Sequence, residues 1–250
     1  MANQTNRELQ SIYVMWKRIM IRTVRAKGRL LGTFVQPLLF MVAFGLGLRG
    51  GGVENLSFIL PGIIAMGAIM SSVMAGLSVM WDKEFGFLKE VLVAPVSRLS
   101  AVIGRAAGAI TTAVIQSVWL AVVGMVIGAR FNMVGALPAL GMLILTSAIA
   151  VGIGLSFASI ISDFESFQIV QNIIIMPMVF LSTAFIDVRS APGWLAWVVR
   201  FNPFSYGIDG FRHFLTGMGG LPLWMDITVT VGVSVLAMVV SAVMFEKIEA

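Results

Sequence analysis

Leu137 to Ile160 reads LPALGMLILTSAIAVGIGLSFASI, an apolar run without one charged side chain. At 1.5 Å of rise per residue it makes a helix of about 36 Å, longer than the ~30 Å hydrocarbon core of a bilayer. Lipid offers no partner for backbone N–H and C=O groups, so only helices or closed barrels cross it, and long uninterrupted runs select helices. Working outward, comparable runs lie at Leu30 to Leu48, Phe58 to Met80, Ala101 to Ile127, Ile169 to Phe185 and Ile227 to Phe245. The run at Ile169 is the shortest and carries Pro177, so a kinked fifth span is expected there. The fold class expected is all-α: a polytopic membrane protein of six transmembrane helices (30–48, 58–80, 101–127, 137–160, 169–185, 227–245), formed by residues 1–250 as a single domain.

Composition points the same way. Of 250 residues 58% are hydrophobic and 12% charged, against about 25% charged in soluble domains, and the mean hydropathy is +0.96. There are too few polar side chains to cover a surface in water. Cysteine is absent, which excludes a disulfide framework and a thiolate metal site. The net charge of +5 sits mostly in an N-terminal block beside the first span, where anionic lipid headgroups explain it better than nucleic acid does.

That block is helical by its periodicity. Wound at 100° per residue, Leu9, Ile12, Tyr13, Trp16, Ile19, Met20 and Thr23 share one side, while Arg7, Arg18, Arg22, Arg25 and Arg29 fall opposite. Residues 1–29 are therefore expected as a cytoplasmic amphipathic helix lying on the membrane surface, with an amphipathic helix docked on protein as the alternative. A cleavable leader needs a short basic start and a brief apolar stretch, so this N-terminus is expected to be retained.

Orientation follows from lysine and arginine in alternate loops. One side receives Arg7, Lys17, Arg18, Arg22, Arg25, Lys27, Arg29, Lys83, Lys89, Arg98, Arg105 and Lys247; the other receives Arg49, Arg130, Arg189, Arg200 and Arg212. Both termini are expected in the cytoplasm of a multi-pass protein of the cell membrane. The interval 187–226 is rich in Trp, Phe and Tyr, and is expected as short interfacial or re-entrant helices on the outer side.

Enzymatic chemistry finds little support. A phosphate-binding loop of the form GxxxxGK[ST] is missing, so the chain is not expected to hydrolyse nucleotide. His213 is the single histidine, and no serine triad can be assembled around it. Small residues repeat at four-residue spacing in Gly104, Gly108 and Thr112, in Ala68, Ser72 and Gly76, and in Ala148, Gly152 and Ser156, as close helix packing in lipid requires. Gln168, Gln171, Asn172 and Ser182 share one side of the fifth span on a helical wheel. They are expected to line a pathway or a subunit contact, or to bond between helices.

Two polar segments carry more specific signals. Asp82-Lys83-Glu84-Phe85-Gly86-Phe87-Leu88-Lys89-Glu90-Val91-Leu92-Val93-Ala94-Pro95-Val96-Ser97-Arg98 mixes charge with apolar anchors, as a short segment docking on a soluble partner would. Asn202-Pro203-Phe204-Ser205-Tyr206-Gly207-Ile208-Asp209-Gly210-Phe211-Arg212 places Pro203 so that Asn202 is extended. It also sets Asp209 and Arg212 three residues apart, where they can pair.

These two stretches, in this order, closely resemble the signatures of ABC type-2 transporter permeases, the group of daunorubicin-type drug-resistance permeases and oligosaccharide exporters. The likeness covers nearly the whole chain, although Trp81, Asp82 and Lys83 depart from the more acidic, arginine-rich lead-in of many members. It implies a half-transporter: two permease chains form the path, and separate ATP-binding subunits carry ATP and magnesium, leaving this chain without cofactor or metal. By the same resemblance Asp82, Glu84, Phe85, Gly86, Phe87, Leu88, Lys89, Glu90, Leu92, Pro95 and Arg98, within segment 81–100, make the ATPase-coupling contact. Asn202, Pro203, Tyr206, Asp209 and Arg212 form the outer signature. The expected cargo is an amphipathic drug-like or lipid-like molecule moving outward, with a lipid-linked or modified oligosaccharide as alternative. A secondary transporter or channel needs membrane-buried acids, which the spans lack well inside them.

Overall fold

The computed structural model describes residues 2–47, 52–84, 97–161 and 163–246. Of the expected coupling residues, Phe85, Gly86, Phe87, Leu88, Lys89, Glu90, Leu92 and Pro95 lie outside the described residues. The described residues are mostly helix, joined by turns at 128–135, 181–192 and 217–222, with no strand among them. In chain order the helices are α1 (Ala2–Arg25), α2 (Lys27–Gly47), α3 (Gly52–Glu84), α4 (Arg98–Ile127) and α5 (Ala136–Ile160). There follow α6, a rod in three pieces (Phe164–Val170, Gln171–Ile175, Met176–Phe180), α7 (Gly193–Phe201), α8 (Pro203–Thr216) and α9 (Leu223–Glu246).

Local chemistry sets the ends. Ser97 is extended and its hydroxyl accepts from the Ser100 N–H, capping α4, which stops at Gly128 with φ 112°. Asp163 caps α6 by accepting from the Ser166 N–H at 2.7 Å. Asn202 caps α8 by accepting from the Phe204 N–H at 3.0 Å, with Pro203 in the first turn and Gly217 at φ 74° beyond the end.

Among the described residues four helices are long and apolar enough to cross a membrane: Ser57–Asp82, Leu99–Ile127, Ala136–Ile160 and Leu223–Phe245. The expected first and fifth spans contain shorter apolar helices, Gly32–Phe44 and Phe164–Phe180. The fifth is thus shifted toward the N-terminus from the expected 169–185, because the chain leaves the helix after Phe180 and turns through 181–185. Its middle is a π-helical turn in which the Met176 N–H donates to the Gln171 carbonyl, five residues back. The register has therefore slipped before Pro177, which has no N–H to give, arrives.

α3 is the central rod: 78% of its most apolar stretch is buried, against 28% for α4 and 17% for α9. It packs on α2, α4 and α5, and α9 covers α5. The outer surface of α9 exposes Val231, Val235, Leu236, Val239, Val240 and Val243. A helix that is apolar all round and largely exposed suits lipid and not water. α8 is wedged among α3, α5 and α9.

The small-residue repeats make close contacts, but not all within the bundle. A Cβ on Gly76 would collide with the Gly154 carbonyl of α5. Gly104 and Gly108 instead face α1, where a Cβ would meet Ile12 and Met15, or Ile19. The N-terminal helix therefore docks on α4, and Trp16 Nε1 donates to Thr111 Oγ1 at 3.1 Å. Its apolar face is divided: Ile12, Trp16 and Ile19 are half-buried on the protein, whereas Leu9 and Tyr13 are exposed.

Candidate functional site

Three polar features stand out in this apolar chain, one at each end of the bundle and one between. At the end that carries α1, Asp82 is buried as α3 closes, with its carboxylate 2.9 Å from Arg18, 2.8 Å from Arg105 and 3.9 Å from Arg22. Arg105 lies over the Phe245 ring at the foot of α9, and Arg22 lies over Trp81 at 4.5 Å. Trp81 in turn stacks on Phe164 at the start of α6. One carboxylate thus ties α1, α3 and α4 together. Beside it, Glu8 accepts from the N–H of Ser97 at 3.1 Å and from the hydroxyls of Ser97 and Ser100. Those bonds, Ser100 first, hold the Glu8 carboxyl below the usual carboxylate range, at a helix N-terminus that favours a negative charge.

The helical wheel had set Arg18 and Arg22 opposite the packed face of α1. In the fold their long stems reach round to Asp82, because a buried carboxylate at the end of α3 needs counter-charge. Asp82, expected on a partner, faces inward. Glu84 closes α3 and Arg98 opens α4, so both flank the undescribed stretch 85–96.

At the opposite end the outer-signature residues form a clamp. Arg212 has no exposed side-chain surface and sits 3.3 Å from Asp209, the i, i+3 pair that the spacing suggested. It donates to the carbonyls of Phe58 at 2.8 Å, Thr183 at 2.5 Å and Ala184 at 3.1 Å, and its guanidinium lies 3.9 Å from the Phe58 ring centre. Burial lowers Arg212 to about 10, with Asp209 opposing the shift, so it stays protonated at neutral pH. The other Asp209 oxygen accepts from the N–H groups of Gly220 and Leu221 at 2.8 Å. Asn202 donates to the carbonyls of Met178 and Leu181, and Tyr206 donates to the Arg200 carbonyl at 2.7 Å. The signature thus joins α3, the end of α6, α8 and the approach to α9 by side chains bonding to backbone.

Between the two ends runs a cleft. A cavity of about 280 Å³ beside Arg22, Trp81 and Phe34 shares Thr33, Ser71, Met74 and Gln116 with a second of about 390 Å³ that reaches Gln36, Gln171, Asn172 and Met176. α1, α2, α3, α4 and α6 supply its walls, and Arg22 is the one ionisable residue lining it among the described residues. Gln171 and Asn172 both line the second cavity. Ser182 does not join them: it lies in the turn beyond α6, buried, donating to the Val179 carbonyl at 2.5 Å and accepting from the Ala184 N–H. Gln168 is half-buried and is not in either wall. The wheel assumed one continuous α-helix, whereas the π turn and the exit after Phe180 part these residues.

Sequence reasoning missed Gln116 and Thr33, whose role depends on meeting across helices. It also passed over Asp226, fully buried in the first turn of α9 with neither carboxylate oxygen bonded among the described residues. An acid in a first turn reads as an ordinary helix start.

Among the described residues the chain is all-helical, with four helices long and apolar enough to cross a membrane and a cleft lined by several polar side chains between them, the architecture of a multi-pass membrane protein. Residues 10–215 match the family described as ABC-2 type transporter, and the chain belongs to that family. It is similar to the permease designated ycf38 of Porphyra purpurea, 28% identical over 82% of this chain and 74% of that one. It is also similar to a probable doxorubicin resistance ABC transporter permease protein, DrrC, of Mycobacterium tuberculosis (30% identical; 92% and 86% covered). A third relative is nodulation protein J of Rhizobium meliloti (26% identical; 82% and 78% covered).

Proposed function

We propose that this chain is the membrane subunit of an ATP-driven exporter, working as a half-transporter beside a second permease chain and energised by separate ATP-binding subunits that hold ATP and magnesium. The ATPase docks on segment 81–100, both termini face the cytoplasm with it, and α1 lies along the inner membrane surface with its exposed Leu9 and Tyr13 toward lipid. The six-span path runs through α2, α3, α4, α5, α6 and α9, with 187–226 at the outer interface.

The observation that carries this proposal is the Asp82 joint. The central rod α3 ends at Glu84, two residues past the Asp82 that is ion-paired to α1 and α4, so a push on the segment that follows moves three helices as one body. α6 follows through the contact of Trp81 with Phe164. At the far end the Arg212 clamp grips both the top of α3 and the turn after α6, so movement of these two rods is referred to a fixed outer cap. Gln36 and Asn172 are exposed at the cleft, where amides facing lipid are costly. A second copy of the permease facing this side encloses a polar passage between the two chains.

The substrate fitted to such a passage is an amphipathic drug-like or lipid-like molecule, moved outward. The relative named for doxorubicin resistance supports that class. The test is ATP-dependent export by the permease reconstituted with an ATP-binding subunit that copurifies with it: Asp82→Ala lowers export per ATP hydrolysed, and unchanged coupling contradicts the assignment.

A further inference from the structure

Gln116 is 1% exposed on the inner wall of the cleft, and one contact fixes which way its amide points. Its Nε2 lies 2.8 Å from the Thr33 carbonyl, which can only accept, so the NH2 group must be on that side. Oε1 is thereby turned away from Thr33, and it has no hydrogen-bond partner among the described residues. Gln171 lines the same cavity, and its Oε1 is also buried and unpartnered among the described residues. Two buried acceptors left unpaired in an apolar surround are unfavourable unless something supplies donors. Gly67 of α3 leaves room for this amide: a Cβ there would come within 3.1 Å of Gln116 Nε2 and of Pro37.

The rest of the wall says what kind of donor fits. No carboxylate lines the cleft among the described residues, so a bound cation has no counter-charge there once it leaves water. An anion brings no donor to the two amide oxygens. Arg22 at the cytoplasmic mouth is engaged with Asp82 and Trp81. Met66, Met70, Met74 and Met176 supply an adaptable apolar lining.

We propose that Gln116, with Gln171 in the same cavity, is a specificity-determining acceptor that makes the cleft select uncharged amphiphiles carrying hydroxyl or amide N–H groups over charged amphiphiles of equal chain length. The inference rests on the cleft being the substrate passage. The neutral polar head sits between the two amides, and its apolar tail lies among the methionines.

The experiment uses the purified permease in lipid nanodiscs and a photoactivatable octyl glucoside, with the labelled peptides located by mass spectrometry. Competitors are octyl glucoside, octyltrimethylammonium and octyl sulfate. Labelling of the cleft helices is expected, with octyl glucoside displacing the label about five-fold better than either ion, as one hydrogen bond of ordinary strength gives. Gln116→Leu, which keeps the bulk and removes one of the two acceptors, narrows that preference. Gln116→Glu turns it toward octyltrimethylammonium, and provides the test if the leucine variant does not fold. Cleft labelling with an unchanged preference in both variants overturns the acceptor role while leaving the passage in place. Wild-type label found only outside the cleft overturns the passage and this inference together.

Discussion

Asp82 and Arg105 meet at 2.8 Å with side chains 6% and 3% exposed, an ion pair almost removed from solvent at one end of a membrane bundle. Removing one member of such a pair strands the other charge, a loss on the order of 3 kcal/mol or more, whereas replacing both with apolar residues is often neutral. Asp82→Ala should therefore lower the thermal midpoint in detergent sharply, and Asp82→Leu combined with Arg105→Met should recover most of it. Equal loss in the single and double variants would mean that the pair is not what holds the joint.

Arg212 offers a different test, since its partners are three carbonyls and one carboxylate spread over three elements. A guanidinium reaches all of them from a planar fork, and an ammonium does not. Arg212→Lys keeps the charge yet should cost about 2 to 3 kcal/mol, from buried acceptors left without a donor. Proteolysis under native conditions should then cut within 181–192 or 217–222. An unchanged cleavage pattern and midpoint would remove the clamp from the account.

The docking of α1 on α4 depends on Gly104 and Gly108, where a Cβ would lie 2.7 Å from Met15 or 2.8 Å from Ile19. Gly108→Val should loosen α1 through overpacking of about 1 to 3 kcal/mol. The chain has no cysteine, so a single Ile12→Cys reports directly: its maleimide labelling should be slow in the parent and fast with Gly108→Val. Equal rates would show that α1 does not rest on this face.

How much of this was legible in the sequence differs by feature. The apolar runs were readable because lipid demands them, and the cap of α8 was readable because Asn202-Pro203 determines its own conformation. The fifth rod was placed too far along because a wheel assumes a constant 3.6-residue period, and a π turn followed by an exit after Phe180 breaks it. The partner of Asp82 was hidden because Arg18 lies 64 residues away and on the side of α1 that a wheel assigns to headgroups. Arg212 could be paired with Asp209 by spacing, but its carbonyl partners belong to Phe58, Thr183 and Ala184, and a backbone acceptor leaves no mark in sequence. Gly104 and Gly108 were recognised as a close-packing repeat, though not as the seat of the N-terminal helix.

Orientation is checked independently of function. Basic residues concentrate at the end that carries α1 and Asp82, so a reporter that is active only outside the membrane, fused after Ala250, should be silent, while one active only in the cytoplasm should be bright. The opposite pattern requires an odd number of crossings and excludes the six-span path.

In the proposed transporter an ATP-binding subunit drives this chain through the segment that α3 feeds into. The most direct measurement is copurification of that subunit together with ATP-dependent export in proteoliposomes, after Glu84→Lys, Phe85→Ala and Leu88→Ala are introduced together. Apolar anchors at such contacts contribute on the order of 1 to 2 kcal/mol each, so the account predicts that the ATPase no longer copurifies and that export stops, with the permease still folded. Parental values for both copurification and export would contradict it.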